Sequence, residues 1–160
     1  IATVHGPCLG GGAELATFCD FVIAGESATF GQPEINLGCF PPVALVTYPA
    51  LVGPRAALDL ILTGRTVDAR AARALGLVTQ VVPDSELESA AQELIAELSQ
   101  KSNFVLRMTR RAIRQRSGFD FERSLREAED LYLKELMRTH DAQEGIRAFI
   151  EKRQPVWQGR

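Results

Sequence analysis

The chain has 160 residues, 46% of them hydrophobic, and a net charge of −2 at pH 7 with acidic and basic residues mixed throughout. Such a composition supports a buried core and excludes a disordered polymer, and it gives no general basis for binding nucleic acid. No apolar run approaches the roughly 18 residues of a membrane helix and no secretory leader opens the chain, so it reads as cytoplasmic, with no membrane partner.

The first element is a β-branched run, Ile1 to His5, which predicts a strand ending in a turn at Gly6-Pro7. It opens without an initiator Met, which suits the later part of a longer polypeptide. A helix is expected from about Gly11, with Leu15 and Phe18 inward and Asp20 at its end, before the strand "FVIAG". "ATF" gives a short extended piece and "GQPEINLG" a loop. "PRAALDLILTG" has Pro at its start and Gly just past its end, the asymmetry of a helix. "DARAARALG" is a second, shorter helix, and "LVTQVV" is the last strand, closed by Pro83.

Only helices are predicted beyond Pro83. "DSELESAAQELIAELSQ" puts Leu87, Ala91, Leu94, Ile95 and Leu98 on one stripe, with Asp84 or Ser85 as cap. "SNFVLRMTRRAIRQR" has Phe104, Val105, Met108, Ala112 and Ile113 on one face and Arg107, Arg110, Arg111 and Arg114 on the other. "FDFERSLREAEDLYLKELMRTH" is a long amphipathic helix with i,i+4 pairs Glu122–Arg126 and Asp130–Lys134, and "DAQEGIRAFIEKR" is the last. The organisation is therefore α/β over residues 1–83 and all-helical over 84–160.

The chemistry concentrates in "GPCLGGGAEL" and "GQPEINLG". A helix starting at Gly11 offers unpaired N–H groups and the positive end of a dipole, and glycine lets a ligand come close to the backbone. The phosphate-binding patterns fail, because no Lys-Ser/Thr follows the glycines and no G-x-G-x-x-G is present. Two readings stay open: the glycines let the helix pack tightly on a strand with Glu14 favoured by the dipole, or they form an anion site beside a working carboxylate. Glu34, between Pro33 and the apolar pair Ile35 and Leu37, is either a solvated loop acid or the second member of an acid–base pair. Two carboxylates at close range cannot easily both ionise, so one would hold a proton while the other stays charged.

Other groups carry weaker signals. Cys8, Cys19 and Cys39 are odd in number and match no metal spacing, which points to free thiols in a reducing compartment and no metal. Cys8 near His5 lacks a third orienting group for nucleophilic catalysis. The arginine stripe reads as a solvated face, and Tyr132 and Trp157 as packing residues.

The stretch from Ile1 to Gly38 resembles the signature region of the enoyl-CoA hydratase/isomerase, or crotonase, superfamily, and "LTGRTVDARAARALGLVTQVVP" and "EGIRAFIEKRQPVWQG" resemble its later landmarks. The resemblance implies the later part of a ββα spiral over 1–83. Over 84–160 it implies a helical region for trimerisation, as a homotrimer or a dimer of trimers. It also implies an acyl-CoA substrate, coenzyme A being part of the thioester with no separate cofactor. Gly11 falls where the family has a backbone donor to the thioester oxygen. Glu14 and Glu34 fall on the two catalytic glutamates of the hydratases, and Phe149 and Lys152 on positions that hold CoA. The family's other oxyanion donor lies in a first-half motif absent from these residues, so the chain alone is expected to be inactive. Where many hydratases have a glycine-rich P-G-x-G-G segment, this sequence reads "CFPPVALVTYPALVG", and its "FPPVA" is similar to cyclic dienoyl-CoA hydratases of aromatic-ring degradation. Double-bond isomerisation and a catalytically silent scaffold are the alternatives.

Overall fold

The computed structural model describes residues 1–116 and 120–159, the side chains of 115 and 116 excepted. Among the described residues, six short strands build two sheets. Strands β1 (Ala2–Val4), β3 (Val22–Gly25) and β6 (Gln80–Val82) form one, all parallel, in the order β1-β3-β6. Strands β2 (Pro7–Leu9), β4 (Thr29–Gly31) and β5 (Thr66–Asp68) form the other, β2 parallel to β4 and β4 antiparallel to β5. Successive strands from β1 to β4 alternate between the sheets, and parallel neighbours are joined by chain that crosses over outside them.

Helix α1 (Gly11–Ala16) follows β2, while α2 (Pro42–Val52), α3 (Pro54–Thr63) and α4 (Ala69–Leu75) cover the sheets. Their inner faces meet in one core that includes Val22, Phe30, Ala44, Tyr48, Leu60 and Val67. A smaller cluster joins Ile23 and Val82 to Ala90 and Ala91 of α5 (Leu87–Ser99), with Leu87 and Leu94 against it. Then come α6 (Asn103–Arg116), α7 (Phe121–Lys134) and α8 (His140–Glu151). The pairs Glu122–Arg126 and Asp130–Lys134 form on α7 as the spacing requires. The predicted first residue of that helix, Phe119, lies outside the described residues, as do 117, 118 and 160.

Several expectations are corrected. Helix α1 stops at Ala16, because Thr17, Phe18 and Cys19 turn their N–H groups to carbonyls three residues back. Its inward residues are Ala13 and Ala16, small enough for a close approach, while Leu15 is 68% exposed. Phe18 instead meets Phe121 edge to face at 5.1 Å. Asp84 does not cap α5: its carboxylate accepts from the N–H and hydroxyl of Ser27, at 3.2 and 2.9 Å. "GQPEINLG" is not plain loop but holds a 3-10 turn, Pro33–Leu37.

The unpredicted α2 begins at the second of two prolines, where a missing N–H costs nothing, and tolerates Pro49 inside it. Most of its residues are apolar, as befits a helix packed on several sides. The apolar face of α6 points away from the body, with Phe104 66% and Ile113 68% exposed. Its arginine face is the one turned inward: Arg110 Nε donates to both Asp20 oxygens, at 2.9 and 2.6 Å, and Arg114 to Asp20 Oδ1 and the Phe18 carbonyl. The expected solvated stripe is thus partly a tether.

Candidate active site

The parallel pairing of β2 with β4 sets Leu9 opposite Gly31 and continues as the Gly10 N–H donates to the Gly31 carbonyl at 3.0 Å. Both strands therefore end side by side, and each runs into a turn that bears a glutamate. Such carboxyl ends of parallel strands are where α/β folds leave room for a ligand.

On the first turn, Gly10 adopts φ 54° and ψ −127° and precedes α1. Gly11 and Gly12 are exposed, and a Cβ at either would meet no atom within 4 Å. As the first helical residue, Gly11 has an N–H without an intrahelical acceptor. Glu14, one turn on and half-buried, accepts from the Ala44 N–H at 2.9 Å through Oε1. Pro41 and Pro42 carry no N–H and no side-chain cap, so this carboxylate from another element caps α2 at the positive end of its dipole.

On the second turn, Glu34 Oε1 lies 2.7 Å from where a Cβ on Gly10 would stand. A side chain there would have to push the Glu34 carboxyl aside, and the positive φ strains any residue but glycine. Glu34 Oε2 is buried with no hydrogen-bond partner among the described residues. Burial pushes the Glu34 carboxyl up from its ordinary value, its own backbone N–H pulls the other way, and the Glu14 charge raises it further. The fold thus brings Glu14 and Glu34 into electrostatic contact and favours the proton on Glu34.

Beneath the pair lies a polar contact that sequence reasoning missed. Gln32 is fully buried and donates through Nε2 to the Tyr48 hydroxyl at 3.0 Å. Burial drives Tyr48 up to about 12; Gln32 opposes this, while Cys8, Glu14 and Glu34 add to it. The only prior signal was a polar Gln two residues before Glu34 in an otherwise apolar stretch. Gly10 was likewise missed in favour of Gly11, since its role rests on a partner far along the chain.

Beside the second turn is a cavity of about 310 Å³ lined by Ile35, Gly38, Cys39, Phe40, Leu136, Asp141 and Trp157. Helix α8 packs on the same turn so closely that a Cβ at Gly145 would fall 2.2 Å from the Leu37 carbonyl oxygen. Asp141 and Glu144 of α8 hold the tail: Asp141 accepts from the N–H groups of Gln158 and Gly159, and Glu144 from Arg153 and the Val156 N–H. Phe149, 68% exposed, lies on α8, and Lys152 follows as its C-cap at φ 54°. Burial raises the Cys8 thiol, which disfavours the thiolate a nucleophile needs. Among the described residues no three His, Cys, Asp or Glu side chains group as a metal site, and no helix is long and apolar enough to cross a membrane.

Residues 1–160 match the family model for enoyl-CoA hydratase/isomerase. The chain is 41% identical over 162 aligned residues to cyclohexa-1,5-dienecarbonyl-CoA hydratase of Thauera aromatica, covering 100% of this chain and 62% of that protein. Among solved structures, the enoyl-CoA hydratase/isomerase of Pseudoalteromonas atlantica T6c superposes with a TM-score of 0.89 at 30% identity, over 99% of this chain and 64% of that one. The carnitinyl-CoA hydratase of Mycobacterium avium superposes with a TM-score of 0.84 at 36% identity, over 98% and 61%. The chain thus spans roughly three-fifths of the length of the curated relatives it matches.

Proposed function

The chain belongs to the enoyl-CoA hydratase/isomerase family, and from that premise we propose that the complete protein is an enoyl-CoA hydratase, adding water across the α,β double bond of an unsaturated acyl-CoA. Its α/β fold is crotonase-like. The observation that carries the reading is that Glu14 and Glu34 feel one another's charge, one held by a backbone N–H and the other desolvated with an oxygen that has no hydrogen-bond partner among the described residues.

In this reaction Glu14 takes a proton from water as the water oxygen bonds to Cβ, and Glu34 gives its proton to Cα. The pair holds one proton before and after, and its return from Glu14 to Glu34 resets the site. The Gly11 N–H steadies the negative charge that builds on the thioester oxygen in between. In the family a second donor comes from the part of the relatives that this chain does not span. No cofactor takes part, coenzyme A being carried by the substrate.

The same reading assigns 1–83 to the later turns of the ββα core and 84–160 to a helical region for trimerisation and CoA contact. The exposed apolar face of α6 and the outward Phe149 and Lys152 support that division. The relative from Thauera aromatica, together with "FPPVA", supports a cyclic dienoyl-CoA as substrate. Three free cysteines support a cytoplasmic location.

The test is hydration of crotonyl-CoA and cyclohexa-1,5-dienecarbonyl-CoA by the full-length protein, beside Glu14→Gln and Glu34→Gln. Each substitution is expected to lower kcat by about 10³-fold with thioester binding retained. Wild-type protein that binds both thioesters and turns over neither would leave a silent scaffold, and variants as active as wild type would remove the glutamates from the mechanism.

A further inference from the structure

We infer that Gln32 and Tyr48 are a positioning pair for the two glutamates, their buried hydrogen bond setting where the Glu34 turn stands relative to the helix that holds Glu14; this rests on the roles proposed above for Glu14 and Glu34. Gln32 Nε2 donates to the Tyr48 hydroxyl at 3.0 Å, and the two residues are 0% and 1% exposed. The bond joins one carboxylate's element to the other's. Gln32 stands immediately before the 3-10 turn Pro33–Leu37, and only Pro33, with its restricted φ, separates it from Glu34. Tyr48 lies one helical turn beyond Ala44 on α2, and the Ala44 N–H donates to Glu14 at 2.9 Å.

Each partner is anchored on its own side. Gln32 directly follows β4, whose Gly31 carbonyl accepts from the Gly10 N–H at 3.0 Å, so the strand register fixes its main chain. Tyr48 belongs to the main core with Ala16, Phe30 and Ala44. Pro49, the next residue, lacks the N–H that would bond to the Leu45 carbonyl, which leaves this turn of α2 one backbone bond short. Residues 38–41 link the Glu34 turn to α2 along the chain, and the Gln32–Tyr48 bond links them a second time, through the interior. Apolar packing is non-directional and lets a helix slide, whereas a hydrogen bond weakens steeply with distance and angle. The bond therefore sets the placement of α2 along its axis.

Stability does not account for the pair. Gln32 Oε1 is buried with no hydrogen-bond partner among the described residues. A buried amide left half satisfied costs free energy that an apolar pair of the same shape would not. What the pair supplies is a directional contact, and a reaction that moves protons through two carboxylates depends on their placement to within about half an ångström. The Tyr48 hydroxyl feels the charge of both glutamates, so the bond lies close to what it holds. No step of the proposed reaction uses either side chain, and both are positioning residues.

The experiment compares Tyr48→Phe, Gln32→Met and the double variant Gln32→Met/Tyr48→Phe in the full-length protein, with Glu14→Gln and Glu34→Gln as references. Turnover is measured on whichever of the two thioesters is hydrated faster, below the lowest Tm of the set. Each single variant leaves one buried polar group unpaired and is expected to lose a few degrees of Tm, while the double removes both groups and recovers most of that loss. All three are expected to lower kcat about tenfold with KM nearly unchanged, the double no further than the singles. A kcat that returns with Tm in the double variant overturns the inference and leaves the bond a matter of packing. A wild-type kcat in Tyr48→Phe, or losses that add in the double, also overturns it. Should a single variant fail to fold, the double decides alone on the same criterion. If the two glutamate variants stay active, the reading of the glutamates fails and this inference with it; if they are dead while the double variant is normal, this inference alone fails.

Discussion

Helices α1 and α6 touch the same stretch of chain around Asp20, yet they meet the body of the molecule with opposite chemistry. The first turns Ala13 and Ala16 into the core and is fixed by strand register and by its own glutamate. The second turns Arg110 and Arg114 inward onto Asp20 and leaves Phe104, Val105, Met108 and Ile113 outside. Apolar burial and register give a position that ångström-scale chemistry can use. Exposed ion pairs give a tether of about 1 kcal/mol or less each, which salt and pH can loosen. The contrast also shows that a helical period reveals two faces without saying which one meets the body.

The contrast can be broken hardest at Gly10. Alanine there must adopt φ near 54° with ψ near −127°, at about 1–3 kcal/mol, and its Cβ would displace Glu34 Oε1. Turnover by Gly10→Ala is expected to fall about 100-fold, well beyond what the lowered Tm accounts for, in a steady-state assay alongside thermal unfolding. A full kcat would show that the contact is slack.

A smaller effect sharpens the same side. Because the Glu34 pKa is raised above its ordinary 4.5, the native state binds the proton more tightly than the unfolded chain does. Stability is therefore full below pH 4.5 and declines as pH rises through the elevated folded value. Glu34→Gln should raise Tm at pH 7 by a few degrees, with the gap closing below pH 4.5 as the wild-type carboxyl takes up its proton. Unchanged Tm at both values would mean the carboxylate is well solvated.

The smallest effect lies at α6. Burial opposes it, but the Arg110 and Arg114 guanidiniums hold the Asp20 carboxyl below its ordinary 3.8. Its contribution is present above pH 3.8 and lost as pH falls through the depressed folded value. Asp20→Asn should change global stability by under about 1 kcal/mol. It should also speed amide hydrogen exchange in α6 while β3 and β4 stay protected. Equal protection in α6 would mean that contacts other than Asp20 hold it.

Local signals carried most of the architecture. The strands at 2–4, 22–25 and 80–82 and the helices from 54 onward announce themselves by β-branched runs, helical periods and end residues. Strands β2 and β5 do not: β2 opens on Pro7 within a Gly-Pro turn signal, and β5 ends at Asp68, the cap of the helix that follows. Helix α2 is hidden because Pro49 reads as a breaker, although the helix survives on the burial of Ala44, Val46 and Tyr48. The two glutamates were visible as carboxylates in unusual settings. Their meeting was not, because it depends on the β2–β4 register and on an N–H thirty residues from Glu14 along the chain. Gly145 could have been noticed: a glycine inside a helix gives up about 1 kcal/mol relative to alanine, which asks for a packing reason.

That glycine has a consequence for how the protein is made. The backbone of α8 rests directly on the carbonyl of Leu37, so the turn carrying Glu34 has its final support only once residues 140–159 have left the ribosome. A nascent chain bears both glutamates long before that. Synthesis therefore passes through a stage in which both glutamates have been made and the second turn still lacks this support, which arrives with α8.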